Sequence, residues 1–293
     1  MVLGFSKKKM VEVPTSYIGR SYGEIYSDPI VIGVCGGMTI MYLILRKVFS
    51  ERGSKFARNP SLAAHGFTFC APFIYLSSMG IRYWFFDDSL MTMDRTFGYH
   101  QGAERIALVM VGAQIFDIPS SLLIGGALAS PTFIAHHITV LWLATQAIHY
   151  QFVLYYGFYF LGVIELSTPL LAFVDMFRDF PKFADMFPIT NEICRVLFAI
   201  AFFSVRIFLW IPASICFWKD ALDVLFNFAT NASKIPFSAE QPPTVPKYVI
   251  FFWLFVHAGL SSLQWYWATK ILRAIYAMAI GDKSQRENEA KGA

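Results

Sequence analysis

The chain has 293 residues, of which 56 % are hydrophobic, 17 % aromatic and only 15 % charged, with a mean hydropathy of +0.49. A soluble domain carries about a quarter charged residues, so this composition excludes one and points to an integral membrane protein. The net charge of +4 comes from scattered basic clusters rather than a stripe, which argues against nucleic acid as a partner.

A helix that crosses a bilayer needs about 20 predominantly apolar residues. Seven runs of that kind follow one another: Pro29 to Phe49, Leu62 to Ile81, Ile106 to Ala129, Phe133 to Tyr150, Phe152 to Val174, Ile193 to Phe217 and Tyr248 to Ala268. The fold class is therefore all-α, a polytopic membrane protein of about seven transmembrane helices. Only His149 to Gln151 separates the fourth run from the fifth, and neither proline nor glycine marks a turn there. Six spans with a broken or re-entrant pair is the alternative. Residues 1–28 read as an N-terminal tail without a signal-peptide pattern. Residues 29–60 hold the first span and a basic loop, 61–280 the main membrane domain, and 281–293 a polar tail expected to be disordered.

Orientation follows from Lys and Arg in short loops. Seven spans place thirteen basic residues on the side of the first loop, the loop holding Arg178, Lys182 and Arg195, and the C-terminal tail, against ten on the other. The excess favours a lumenal N-terminus and a cytosolic C-terminus. A glycosylation sequon, Asn231-Ala232-Ser233, falls in a loop that this arrangement makes lumenal. Cys35, Cys70, Cys194 and Cys216 lie in or beside apolar runs without the close pairs of a zinc or redox site, so they read as small hydrophobes. Six histidines with a single adjacent pair are too few for a histidine-box di-iron centre. No metal and no cofactor is expected.

Ionisable groups inside a bilayer are costly, so the polar residues of the runs define the search for a site. They are His65, Asp117, His136, His137, Glu165, Arg206, His257 and Gln264. His136 and His137 enter the fourth run near the cytosolic side, and Glu165 approaches the same side in the fifth, so the three are expected to line one cavity open to the cytosol. Thr139, three residues after His136, shares its helical face. Arg206 cannot titrate away its charge and needs a carboxylate, Asp117 or Glu165, or a ligand phosphate. His257 and Gln264, two turns apart, read first as bonds between helices. Pro119, Pro169 and Pro212 are expected to kink their spans.

The segment His136-His137-Ile138-Thr139, followed about twenty-five residues later by Glu165-Leu166-Ser167-Thr168-Pro169-Leu170-Leu171, resembles the TRAM/LAG1/CLN8 homology (TLC) domain family. Asp117 after an aromatic in Ile115-Phe116-Asp117 belongs to the same pattern. The resemblance covers roughly Ser61 to Tyr276. It implies a multi-span protein of the endoplasmic reticulum that handles lipids. In the ceramide synthase branch, acyl-CoA is joined to a sphingoid amine, and the histidine pair is followed by a His-Asp pair and a second Asp. Those later positions read Ile164-Glu165 and Thr168 here, so the chain is more similar to the TLC-domain-containing branch, which is linked to lipid homeostasis. The resemblance implies His136, His137 and Glu165 as catalytic positions if the chain is an enzyme. Asp117, Thr139, Ser167, Thr168, Arg206 and His257 are then ligand-binding candidates, membrane lipids are the expected partners, and acyl-CoA is the co-substrate of the enzymatic alternative.

Overall fold

The computed structural model describes residues 19–231 and 245–291, among which there is no strand. A short helix α1 (Tyr22–Tyr26) precedes α2 (Pro29–Ser50), α3 (Pro60–Phe86), α4 (Gln101–Ile124) and α5 (Pro131–His149). α2, α3 and α5 all start with a capping side chain followed by proline. Asp28 Oδ1 accepts from the Ile30 N–H at 2.7 Å, Asn59 Oδ1 from Leu62 at 3.2 Å, and Ser130 Oγ from Phe133 at 3.4 Å. Each cap satisfies an amide that the first turn leaves free, and proline in the first turn lacks the donor that would be orphaned.

The chain continues through α6 (Leu154–Phe160), α7 (Ser167–Asp179), α8 (Pro181–Met186), α9 (Pro188–Phe203), α10 (Trp210–Asn231) and α11 (Lys247–Lys291). Five stretches among the described residues are long and apolar enough to cross a membrane: Pro29–Ser50, Gln101–Ile124, Leu154–Asp179, Pro188–Phe226 and Lys247–Tyr276. The two other spans expected from the sequence fall on α3 and α5, which have 27 and 19 residues but carry more polar side chains. Together they form an all-α polytopic membrane protein. Arg195, counted with a loop from sequence, lies on α9, and the sequon's Ala232 and Ser233 lie outside the described residues.

Three expectations change. The run Phe152 to Val174 is not one helix: α6 ends at Phe160, a 3₁₀ turn covers Val163–Leu166, and α7 begins at Ser167. Pro169 is the third residue of α7, just after a break rather than inside a continuous helix; Pro212 lies within the long helical stretch Pro188–Phe226 and Pro119 inside α4. The tail from Asp282 continues α11 to Lys291. Its Lys, Gln, Arg, Glu and Ala residues are good helix formers, and extending an existing helix avoids the cost of nucleation.

α4 is the hub. It packs on α2, α3 and α5 and buries Ile106, Ala107, Met110, Val111 and Ala113 almost completely. Gly112 lets α2 come close, because a Cβ there would lie 2.8 Å from the Val31 carbonyl oxygen; small residues play this part where no water drives helices together. The outer faces carry Ile40, Ile44, Leu123, Phe208 and Phe255, all exposed, as a lipid-facing surface requires.

Between α5 and α6 the chain reverses without glycine. Gln151 and Val153 both take left-handed backbone angles, φ 48° and 54°. For a β-branched residue this costs about 1–3 kcal/mol, and the loop before α4 holds it in place. The Val153 N–H donates to the Thr96 carbonyl at 2.6 Å, and the Gln151 side-chain amide donates to the Phe97 carbonyl at 3.2 Å.

Candidate functional site

Successive residues on a helix point about 100° apart, so the two adjacent histidines of α5 serve different neighbours. His137 turns toward α3 and α4. Its Nδ1 lies 2.7 Å from Gln114 Oε1 and 2.8 Å from Asp117 Oδ2. The other carboxylate oxygen of Asp117 is 2.8 Å from His65 Nε2 on α3 and accepts from the Ser121 hydroxyl at 3.3 Å. Asp117 is fully buried, and His65 and His137 are nearly so. A buried carboxylate is tolerated only with such partners, and here one acid fixes two imidazoles from different helices.

His136 faces the other way, into a cavity bounded by α5, α6, the 3₁₀ turn, α10 and α11. A second cluster stands at its wall. Between α9 and α10 the helix widens over Ser204–Phe208 into a π turn, with the Leu209 N–H bonded to the Ser204 carbonyl at 3.0 Å. Such turns are frequent at functional sites, and this one carries Arg206. Arg206 Nε donates to Ser167 Oγ at 2.8 Å, and Nη2 donates to Thr168 Oγ1 at 3.0 Å and to Glu165 Oε2 at 3.4 Å. The Thr168 hydroxyl donates in turn to Glu165 Oε2 at 2.5 Å. Of the two acids that the sequence offered to Arg206, the structure pairs it with Glu165, while Asp117 belongs to the histidines.

The cavity and its open mouth together hold about 720 Å³ of space not filled by atoms. His136, Glu165, Arg206 and Gln264 line one part of it. Leu143, Ala147, Val153, Phe217 and Trp253 line another. His136 and Ala147 are eleven residues apart on α5, as are Gln264 and Trp253 on α11, so each helical wall runs about 16 Å. His257 lies between. Its Nδ1 accepts from the Trp218 indole at 2.9 Å, which leaves the proton of the neutral ring on Nε2, 3.2 Å from Ser214 Oγ. The ring stacks on Trp210 at 5.1 Å.

Thus His136, Glu165, Arg206 and His257 meet at one cavity, Ser167 and Thr168 hold Arg206 and Glu165 from behind, and His137 and Asp117 form a separate centre. Thr139 is half-buried and is not among the residues that line the cavity. Sequence reasoning gave no site role to His65, Trp253 or Gln264. His65 is 52 residues from Asp117, so no local spacing links them, and Trp253 is one aromatic among many in α11.

The TLC domain pattern matches residues 38–273, well over half of the chain. The chain belongs to the TLC domain family. No curated protein and no solved structure matches it. Every residue of both clusters and of the cavity wall lies inside the matched TLC domain, which places the protein in a membrane lipid-related family and in the membrane as a multi-pass protein. Among the described residues no group of three or more His, Cys, Asp or Glu side chains is arranged to hold a metal ion.

Proposed function

We propose that this TLC-domain protein binds a membrane lipid in the cavity between α5, α6, α10 and α11 and acts in lipid homeostasis, in the endoplasmic reticulum and with the mouth toward the cytosol. The observation that carries the reading is the division of one cavity into a polar part at His136, Glu165, Arg206 and Gln264 and an apolar part at Leu143, Ala147, Val153 and Phe217. An amphiphile needs both, and the apolar walls reward burial of its chain by about 25 cal/mol per Å².

A second reading is N-acyl transfer from acyl-CoA to a sphingoid or other long-chain amine, favoured by His136, an imidazole on the cavity wall beside an Arg–Glu pair. The amine nitrogen would attack the thioester carbonyl, forming the C–N bond and breaking the C–S bond. His136 would take the amine proton, Arg206 would face the developing oxyanion, and CoA would leave as the thiolate. Against this reading stands the loss of the later His and Asp positions, which are Ile164 and Thr168 here.

Purified protein incubated with labelled acyl-CoA and a sphingoid base, followed by lipid mass spectrometry of what co-purifies, separates the two. The lipid-binding reading expects co-purifying lipid that is reduced in His136→Ala and Glu165→Ala, without product. Product formation abolished by both substitutions would replace it with the transferase, and a protein free of lipid in wild-type and variants alike would reject it.

A further inference from the structure

Resting on the reading of the cavity as a lipid site, we infer that its preferred occupant is a neutral single-chain lipid whose headgroup carries both a hydrogen-bond donor and an acceptor, such as a long-chain primary amide, rather than a carboxylate or phosphate amphiphile.

Among the described residues, five buried side-chain polar atoms lack a hydrogen-bond partner: Thr68 Oγ1, Asp117 Oδ2, His136 Nδ1, Trp253 Nε1 and Gln264 Oε1. Asp117 Oδ2 has its contact with His137. Three of the remaining four belong to residues that line this one cavity. Gln264 is 2 % exposed and Trp253 8 %. Leaving such an atom unmet carries its full desolvation penalty, and native interiors seldom tolerate it. Water is a poor remedy at the Trp253 end, because a buried water needs two to four polar partners and the walls there are Leu143, Ala147, Val153 and Phe217.

The chemistry of the unmet atoms sets the headgroup. Gln264 Oε1 accepts only, so the ligand must offer an N–H or O–H. His136 Nδ1 adds one further bond, as acceptor or donor according to its tautomer. The charges set the rest. Arg206 is the fixed cation of the cavity wall and its charge already faces Glu165, with Ser167 on Nε and Thr168 on Nη2. An anion brought beside that pair gains no uncompensated cation and meets a carboxylate, while losing its hydration. A neutral head avoids that cost. The length of the walls, about 16 Å along both α5 and α11, suits a single medium-length chain.

The test uses the full chain in phosphatidylcholine nanodiscs and three probes of equal length: ω-bromoundecanamide, ω-bromoundecanoate and ω-bromoundecyl phosphate. The terminal bromine quenches indole fluorescence on contact, and Trp253, at the far end of the cavity, is the reporter. Saturable quenching that is reduced in Trp253→Phe, the remainder coming from other tryptophans such as Trp210 on the same cavity, identifies the site. The amide is expected to half-saturate at a concentration about tenfold lower than either anion, the equivalent of one well-made buried hydrogen bond. Gln264→Leu should remove that preference, the amide then half-saturating no lower than the anions, and Gln264→Asn, which keeps the amide, controls for loss of fold. Equal or tighter binding of carboxylate or phosphate, or an amide preference that survives Gln264→Leu, overturns the inference while the lipid site stands. Absence of saturable quenching by all three probes rejects the lipid site itself.

Discussion

His100 shows how much one side chain outside the membrane contributes to the helix that anchors the domain. Its Nδ1 accepts from the Gly102 N–H at 2.9 Å and so caps α4. Burial holds its pKa below the usual imidazole value, although the Asp87 carboxylate, 3.7 Å from Nε2, pulls the other way. The folded state therefore prefers the neutral ring. For a base whose pKa is depressed on folding, the stabilisation is complete above the unfolded value, about 6.5, and is lost as the pH falls through the lower folded value. Protonation also removes the lone pair that makes the cap, worth about 1 kcal/mol. Thermal unfolding between pH 8 and pH 5 should show wild-type losing stability below about pH 6.5. His100→Asn, which retains a capping acceptor without titrating in this range, should have a flatter profile. Equal slopes would reject this account. The capping role was invisible in the sequence, where His100 is one polar residue in a loop. Arg206 is the opposite case: its need for an anionic partner was legible from its charge alone, and the choice among Asp117, Glu165 and a ligand phosphate required the fold.

At the scale of elements, the broken fifth span determines where Glu165 stands. The break is held by a close backbone approach: a Cβ on Gly80 of α3 would lie 2.4 Å from the Val163 amide nitrogen, and one on Gly162 would lie 2.7 Å from the Gly80 Cα. Neither obstacle is a flexible side chain, so the backbones must separate. Gly162→Ala and Gly80→Ala should each destabilise the protein by about 1–3 kcal/mol, and both should weaken lipid retention by displacing Glu165 from Arg206. Gly33→Ala on α2, where a Cβ meets nothing within 4 Å, should be neutral or mildly stabilising. A melting series with co-purified lipid measured on the same samples checks this; a Gly33→Ala loss equal to that of Gly162→Ala would contradict it. Hydropathy cannot reveal such a break, because Phe152 to Val174 is strongly apolar apart from Glu165, Ser167 and Thr168, and Gly162 looks like any other membrane glycine. The turn at Gln151 and Val153 was hidden for a related reason. Its left-handed residues are neither glycine nor asparagine, and they are held by carbonyls more than fifty residues away.

At the scale of the whole molecule, the architecture was largely legible because a bilayer constrains composition directly: each crossing needs a long apolar run, and each polar residue within one stands out. The division of the polar residues into a His65–Asp117–His137 centre and a Glu165–Arg206 cavity was not legible. It depends on how α3, α4 and α5 rotate about their axes, which one sequence does not specify. The widened turn at Ser204–Phe208 has a consequence at this scale. It stores one residue of slack between two long helical arms, so deleting Ile207 would let an ordinary α-helix run through with both arms still in register. The rest of the membrane domain should assemble much as before, while Arg206 swings off Glu165, Ser167 and Thr168. A ΔIle207 protein is therefore expected to insert and elute like wild-type on size exclusion but to retain no lipid, and an aggregated product would show that the slack is structural. In such a chain the scaffold and the site are separable by a single codon, and a lineage could lose one while keeping the other.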